Sequence, residues 1–386
     1  MAQESNPRIG IIGAGVSGCT VAYFLKQYGE ITLIDYSTPL RTILPTGGGR
    51  CNLAYAEYDF KELAKYYPRG EKFLYSIFSK FSTFDTIEMF EELGISTYTQ
   101  EDMRIFPTSN SSKNVQEAFQ NTLKNINTKK EMALRIEQQD NGFKVVTDKA
   151  SYVFDILIVA TGGNSNYEMV ARLGIDIVKP CPALVGLNTQ EKFESLAGTF
   201  VNNCSSEGEN GDLLFTHTGV SGPLIYKISS IKAREKFPYQ LEINLHKEFI
   251  DLQNILNNNP HKQIDNLLSE ILPKKLATVI LNKLNIAIET KSHKINGEQR
   301  DAILDIIHNF RVKVIGTRKD GETVTAGGVN LVEVNNKTLE SKKIKNLYFI
   351  GEVLDIDGFC GGFNLQNCWS TAFVASQEII NKIAKN

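Results

Sequence analysis

No Cys-x-x-Cys pair occurs in this 386-residue sequence, and its six cysteines stand apart at positions 19, 51, 181, 204, 360 and 368. With no histidine at ligand spacing from them, neither a zinc site nor a disulfide framework is expected, and no metal is assigned. Isolated cysteines fit a reducing, cytoplasmic setting. Charge of one sign is also missing: 42 Lys and Arg against 44 Asp and Glu leave a formal net charge of -2. That balance excludes a chain-wide electrostatic footprint for nucleic acid, though not a local one. Long apolar runs are absent too. The nearest, IGIIGAGVSGCTVAYFL over residues 9–25, holds four glycines and no basic leader. It is too short and too glycine-rich for a membrane helix or a secretion signal, so no membrane partner is expected. Neither an internal repeat nor a low-complexity tract appears, and nothing fixes the oligomeric state; a monomer is compatible with everything present.

The chain is long enough for two or three domains. RIGIIGAG (8–15) is a continuous apolar run, as in a parallel strand buried on both faces. VSGCTVAYFLKQYG has helical spacing and is predicted to close at Gly29, and ITLID (31–35) is a second strand. Together they read as a βαβ unit. GFKVVTD and ASYVFDILIVATGG (142–163) predict a small hairpin feeding a buried strand. Short β-rich pieces between about 181 and 250 suggest a barrel-like insertion, a helical pattern follows over 251–309, and FRVKVIGT (310–317) returns as a strand. The predicted class is α/β. A two-dinucleotide-binding-type domain spans 1–182 and 326–386, and the inserted β-barrel spans 183–250 and 310–325. A helical insertion covers 251–309.

Three motifs carry chemistry. GAGVSG supplies Gly13, Gly15 and Gly18 in G-x-G-x-x-G spacing, with Ala14, Val16 and Ser17 between them. The first glycine allows the turn, the second lets a pyrophosphate reach the backbone, and the third lets helix and strand pack closely. Asp35, at the end of the second strand, is placed to accept hydrogen bonds from ribose hydroxyls. IVATGG (158–163) ends a buried strand in Ala160, Thr161 and Gly162, small residues that let the chain pass close to a nucleotide. In LYFIGEVLDIDGFCGGFNLQ (347–366), Gly351 and Glu352 end a strand, the acids Asp355 and Asp357 follow, and Gly361 and Gly362 precede a helix. In flavin enzymes of this architecture the acid after that strand binds the ribityl chain. The helix N-terminus faces the flavin N1 edge, where its partial positive charge favours the anionic reduced ring by about 1 kcal/mol.

A fourth segment, PTGGGRCNLAY (45–55), places Gly47, Gly48 and Gly49 directly before Arg50, Cys51 and Asn52. Three consecutive glycines are costly in backbone entropy and call for a reason. The combination of TGGGRCNL, LLFTHTGVSGP, TAGGVNLVEV, NLYFIGEVLDIDG and GGFNLQ resembles the BaiN/RdsA-like flavoproteins, also called the aminoacetone-oxidase family, across essentially the whole chain. The resemblance implies bound FAD, with Gly47–Gly49 against the cofactor and Arg50, Cys51 and Asn52 on its flavin side. Asn364 and Leu365 would lie at the start of the closing helix. The sequence departs from the family at Thr42, Tyr55, Cys360, Phe363 and Cys368, where lysine, a polar residue, threonine, tyrosine and alanine are commoner.

The leading expectation is an FAD-dependent oxidoreductase passing hydride from a reduced donor such as NAD(P)H to an activated C=C bond. A small-molecule ring ketone or a uracil in ribosomal RNA would be the acceptor. Two alternatives stand beside it: an amine oxidase using oxygen, and a non-catalytic flavin-containing RNA- or partner-binding protein. No second G-x-G-x-x-G exists, so NAD(P)H would dock only transiently. His217 is the candidate acid, although a histidine that merely holds a barrel loop carries more weight. Cys51 and Cys360 invite a dithiol reading, with small packed residues the plainer one. Residues 261–319 hold eleven Lys and Arg against six acids, which suggests either a solvated helical face or a phosphate-docking surface.

Overall fold

The computed structural model describes residues 6–163, 165–318 and 324–385. The chain divides into two compact units, Met1–Cys181 with Val324–Asn386, and Pro182–Thr323. Each is described by itself.

The first unit is organised by a five-stranded parallel sheet, in the order Leu347–Phe349, Ile156–Val159, Arg8–Ile12, Glu30–Asp35 and Asn127–Lys130. The strands nearest the middle are apolar at almost every position, because they are buried against the first helix and against the small sheet that ends in Ser151–Phe154. The first helix, Val16–Leu25, follows the first strand directly and packs along the closing helix, Phe363–Ile383. Nearly all of its residues are buried. It ends at Leu25 with Lys26 as a right-handed cap, not at Gly29 as its spacing predicts. Gly29 answers a different need, since a Cβ there would lie 2.8 Å from both the Pro7 carbonyl and the Ile9 side chain.

Two smaller antiparallel sheets also belong to this unit, and Ile177–Ala183 pairs with Val324–Val329. One is the predicted hairpin with an added strand, Ala133–Gln139, Gly142–Thr147 and Ser151–Phe154. The other, which the sequence reading did not resolve, pairs Ala54–Tyr55 with Arg104–Pro107 and that strand with Thr97–Thr99.

The second unit holds six antiparallel strands in the order Phe200–Ser206, Glu209–Thr216, Gly219–Ser221, Leu187–Thr189, Phe310–Thr317 and Tyr239–Ile243. The edge strands meet where Ser205 and Asn244 exchange backbone hydrogen bonds of 2.9 and 2.8 Å, so the sheet curls into a barrel. Helices Leu252–Asn258, Ile264–Leu268, Lys274–Lys283 and Gly297–His308 fill the segment between the last two strands. Pro273 caps the third of these. Lys319 of the basic stretch and residues 319–323 of the expected barrel segment lie outside the described residues. No helix among the described residues is long and apolar enough to cross a membrane.

Candidate functional site

The three glycines of the first motif have three different environments. A Cβ on Gly13 would lie 2.3 Å from the Ala160 carbonyl, and one on Gly18 would lie 1.8 Å from the Gly13 carbonyl. Those two positions are glycine because backbone crowds them. A Cβ on Gly15 would meet only Thr42 Oγ1, at 3.8 Å. Gly15 therefore faces open space at the start of the first helix. That helix has no side-chain cap, and its first backbone hydrogen bond runs from Cys19 N–H to the Gly15 carbonyl. The N–H groups of Val16, Ser17 and Gly18 have no protein acceptor among the described residues, which suits an anion.

Asp35 stands beside this opening. Its Oδ2 accepts from Ala14 N–H at 2.6 Å, and its Oδ1 accepts from both the backbone and hydroxyl of Ser37 at 2.7 and 2.8 Å. The carboxylate is thus fixed in orientation by the loop it serves. Ser37 was not singled out from sequence, since nothing in its spacing marks it. Past the end of the neighbouring strand, Gly162 takes φ +78 with nothing within 4 Å of a notional Cβ, and Tyr167 donates to the Gly163 carbonyl at 3.0 Å.

The glycine run has a conformational reason beyond close approach. Gly47, Gly48 and Gly49 take φ of +57, +69 and +85, and Cys51 follows at +63. A residue with a side chain pays about 1–2 kcal/mol for each left-handed position, so a run of three is reserved for glycine. A Cβ on Gly47 would collide with Asn52 N and Phe106, at 2.7 and 2.9 Å, whereas Gly48 has nothing within 4 Å. One side of the turn is packed and the other is open.

The turn is fastened to the closing helix. Asn52 is buried, with its Nδ2 donating to the Ala54 carbonyl and its Oδ1 accepting from Gly362 N–H, both at 3.0 Å. Trp369 Nε1 donates to the Leu53 carbonyl at 3.0 Å. A Cβ on Gly362 would lie 2.7 Å from the Ala54 backbone. Tyr67 donates to the Phe363 carbonyl at 2.5 Å, and Asn364 closes its own loop by exchanging two 2.9 Å hydrogen bonds with the Gly358 backbone. The closing helix has no side-chain cap, and its first backbone hydrogen bond runs from Gln366 to Gly362. The N–H groups of Phe363, Asn364 and Leu365 are left without protein acceptors among the described residues.

The two uncapped helix starts belong to one neighbourhood. Gly351 takes φ +72, and a Cβ on it would lie 1.9 Å from Ser17 Oγ and 3.4 Å from Cys368 Sγ. Gly351 N–H donates to Thr371 Oγ1 at 2.9 Å. Glu352 follows in a half-buried position where desolvation, reinforced by the Asp357 charge, raises its carboxyl to about 7. Asp355 is buried, and Asp357 is fully buried in a bidentate ion pair with Arg69. The acidic loop expected from sequence is therefore largely interior. Arg69 had no sequence signal, because its partner lies 288 residues away.

Arg50 lies with its guanidinium carbon 4.1 Å from the centre of the Phe106 ring, and its Nε donates to the Gly47 carbonyl at 3.3 Å. Cys51 is fully buried, and burial pushes its thiol up to about 12. Cys360 is exposed, with its thiol also raised by desolvation. No disulfide joins any of the six cysteines, and desolvation raises both of these thiols, so the dithiol reading has no support. His217 lies in the second unit, exposed in the turn between strands Glu209–Thr216 and Gly219–Ser221, with no hydrogen bond to its side chain among the described residues. In the basic stretch, Lys262, Arg300 and Arg311 pair with Glu270, Asp301 and Glu242. No cluster of metal-ligating side chains occurs among the described residues.

An open glycine cradle, two uncapped helix starts and a carboxylate at each of two strand ends fit a flavin dinucleotide, whose pyrophosphate and N1 edge both want backbone donors. The HI0933-like protein Rossmann domain family matches residues 7–378. The chain is 30% identical to the ribosomal RNA dihydrouridine synthase of Escherichia coli (strain K12), over 96% of this chain and 97% of that one. It is 27% identical to the 3-dehydro-bile acid delta(4,6)-reductase of Clostridium scindens, over 96% and 98%. Among solved structures, the open conformation of a flavocytochrome c3 fumarate reductase shares the fold, with TM-score 0.52 and 17% identity over 100% of this chain and 80% of that one. The chain belongs to the HI0933-like Rossmann family, a family of FAD-dependent oxidoreductases.

Proposed function

We propose that this protein binds FAD in the first unit and reduces a ring C=C bond conjugated to a carbonyl, with NAD(P)H as the hydride source. The observation that carries the reading is the pairing of open backbone donors at Val16–Gly18 with those at Phe363–Leu365, joined through Ser17, Gly351 and Cys368. The names of both relatives describe adding hydrogen across such a ring bond, in uridine and in a bile acid. Bound FAD supplies the hydride chemistry. The N–H groups of Val16, Ser17 and Gly18 hold the pyrophosphate, Asp35 holds the ribose and Glu352 holds the ribityl hydroxyls. Asn52 fixes Gly362, so the donors of Phe363, Asn364 and Leu365 keep their direction toward the N1 edge. Arg50, Cys51 and the Gly47–Gly49 turn line the flavin side, with Ala160, Thr161 and Gly162 beside the nucleotide. Asp355 and Gly361 belong to the segment leading into the closing helix, beside the cofactor.

Anaerobic stopped-flow on the FAD-loaded protein tests this reading. Fast bleaching by NAD(P)H, followed by reoxidation with an unsaturated ring ketone or a uridine-containing RNA, is expected. Bleaching by aminoacetone with reoxidation only by oxygen would make the protein an amine oxidase. Comparing dihydrouridine in ribosomal RNA from cells with and without the gene separates the two acceptors.

A further inference from the structure

The small three-stranded sheet of the first unit has one face in the interior and one face that the site above uses only through Arg50. Ala54 and Ile105 pair across the ladder and are buried together with Ala56. The opposite face presents Tyr55 across from Arg104, and Tyr98 across from Phe106. Arg50 covers Phe106 at 4.1 Å, and Arg104 approaches the same ring at 5.7 Å. The Tyr98 and Phe106 ring centres are 6.3 Å apart. At the other end Tyr55 packs on Phe363 at 4.8 Å, where the closing helix begins. Phe106 is fully buried beneath them, so Tyr55, Tyr98 and the two guanidiniums are what this face presents on the way to the proposed flavin edge.

The charge on this face is positive and incompletely answered. Arg50 has no carboxylate partner among the described residues. Arg104 is held by Asp102, its Nε donating at 2.7 Å, in a pair whose side chains are 36% and 48% exposed. An exposed pair of this kind contributes little, so an incoming phosphate displaces Asp102 at small cost. Glu57 and Glu62 stand near Tyr66, beyond the Tyr55 end, and repel a polyanion there. Aromatic faces accept any base by stacking, and guanidiniums meet phosphate oxygens in a fork. Three strands spaced about 4.8 Å apart make the face about 10 Å wide, which matches more than one nucleotide.

We propose that this face, through Tyr55, Tyr98, Arg104 and Arg50, is the docking track for a single-stranded segment of RNA, one base of which enters the flavin site. The inference rests on the reading that the reduced ring is a base within RNA. Neither Tyr98 nor Arg104 is among the residues proposed to hold FAD, so they can be changed without removing a flavin contact.

The test is fluorescence anisotropy of a labelled twelve-nucleotide oligouridine on the FAD-loaded protein, across a salt series. Arg104→Gln is expected to weaken binding about tenfold and to lower the salt slope by about one. Tyr98→Ala should weaken binding about fivefold or more with the slope unchanged. Flavin absorbance, thermal midpoint and the rate of bleaching by NAD(P)H should stay at wild-type values in both variants. Equal RNA affinity in wild type and both variants overturns the track and leaves the reductase reading intact. Slower bleaching by NAD(P)H with unchanged RNA binding also overturns it, assigning the face to the dinucleotide donor. A wild-type protein that reduces a ring ketone but binds no oligouridine removes RNA from this face altogether.

Discussion

Asn52 Oδ1 accepts the N–H of Gly362 at 3.0 Å, across 310 positions of sequence, while its Nδ2 donates to the Ala54 carbonyl. One buried amide therefore fixes the left-handed glycine turn to the start of the closing helix. Asn52→Ala leaves a buried donor and a buried acceptor unanswered, which should destabilise the protein by about 1–3 kcal/mol. FAD affinity should fall at the same time, because the helix start loses its fixed direction. Urea unfolding and flavin titration measure both, and unchanged FAD affinity in a destabilised variant would confine Asn52 to a structural role.

Gly15 and Gly18 separate binding from folding. A Cβ at Gly18 meets the Gly13 carbonyl at 1.8 Å, so Gly18→Ala is expected to destabilise the apoprotein by about 1–3 kcal/mol. Gly15 is in extended backbone with open space around it, so Gly15→Val should cost about 1 kcal/mol or less yet leave the protein colourless. Circular dichroism and the flavin absorbance of purified protein distinguish the two. A yellow, fully loaded Gly15→Val protein would move the pyrophosphate elsewhere.

Glu352 gives the apoprotein a pH dependence with a definite sign. Its carboxyl is raised from an ordinary value near 4.5 to about 7 by desolvation and by Asp357. The folded state then holds the proton more tightly than the unfolded chain. Its contribution is fully present below about 4.5, is lost as pH rises through about 7, and is constant beyond. Glu352→Gln should remove that decline and make the apoprotein more stable at pH 8, by at most about 3 kcal/mol. Unfolding midpoints between pH 5 and 8 that fall in parallel for both proteins would refute the assignment.

The parts of the site that were legible in the sequence are those set by neighbouring residues. A buried parallel strand is apolar throughout, and Gly13, Gly15 and Gly18 fall within one turn, so local spacing reveals them. The hairpin at 142–154 and the strand Phe310–Thr317 were readable for the same reason. The two-residue strand Ala54–Tyr55 carries too little pattern to be read. Its sheet, with the Tyr55, Tyr98 and Arg104 face, came only from pairing with residues some fifty positions away.

By itself the sequence determined the buried strands of the parallel sheet and the glycine spacing that follows the first of them, because apolar runs and turn spacing are properties of a few adjacent residues. Only the tertiary structure decided that Asp357 is an interior partner of Arg69, that Glu352 is desolvated, and that Asn52 ties two distant segments together. Those depend on which side chains are excluded from water side by side, and long-range packing alone sets that.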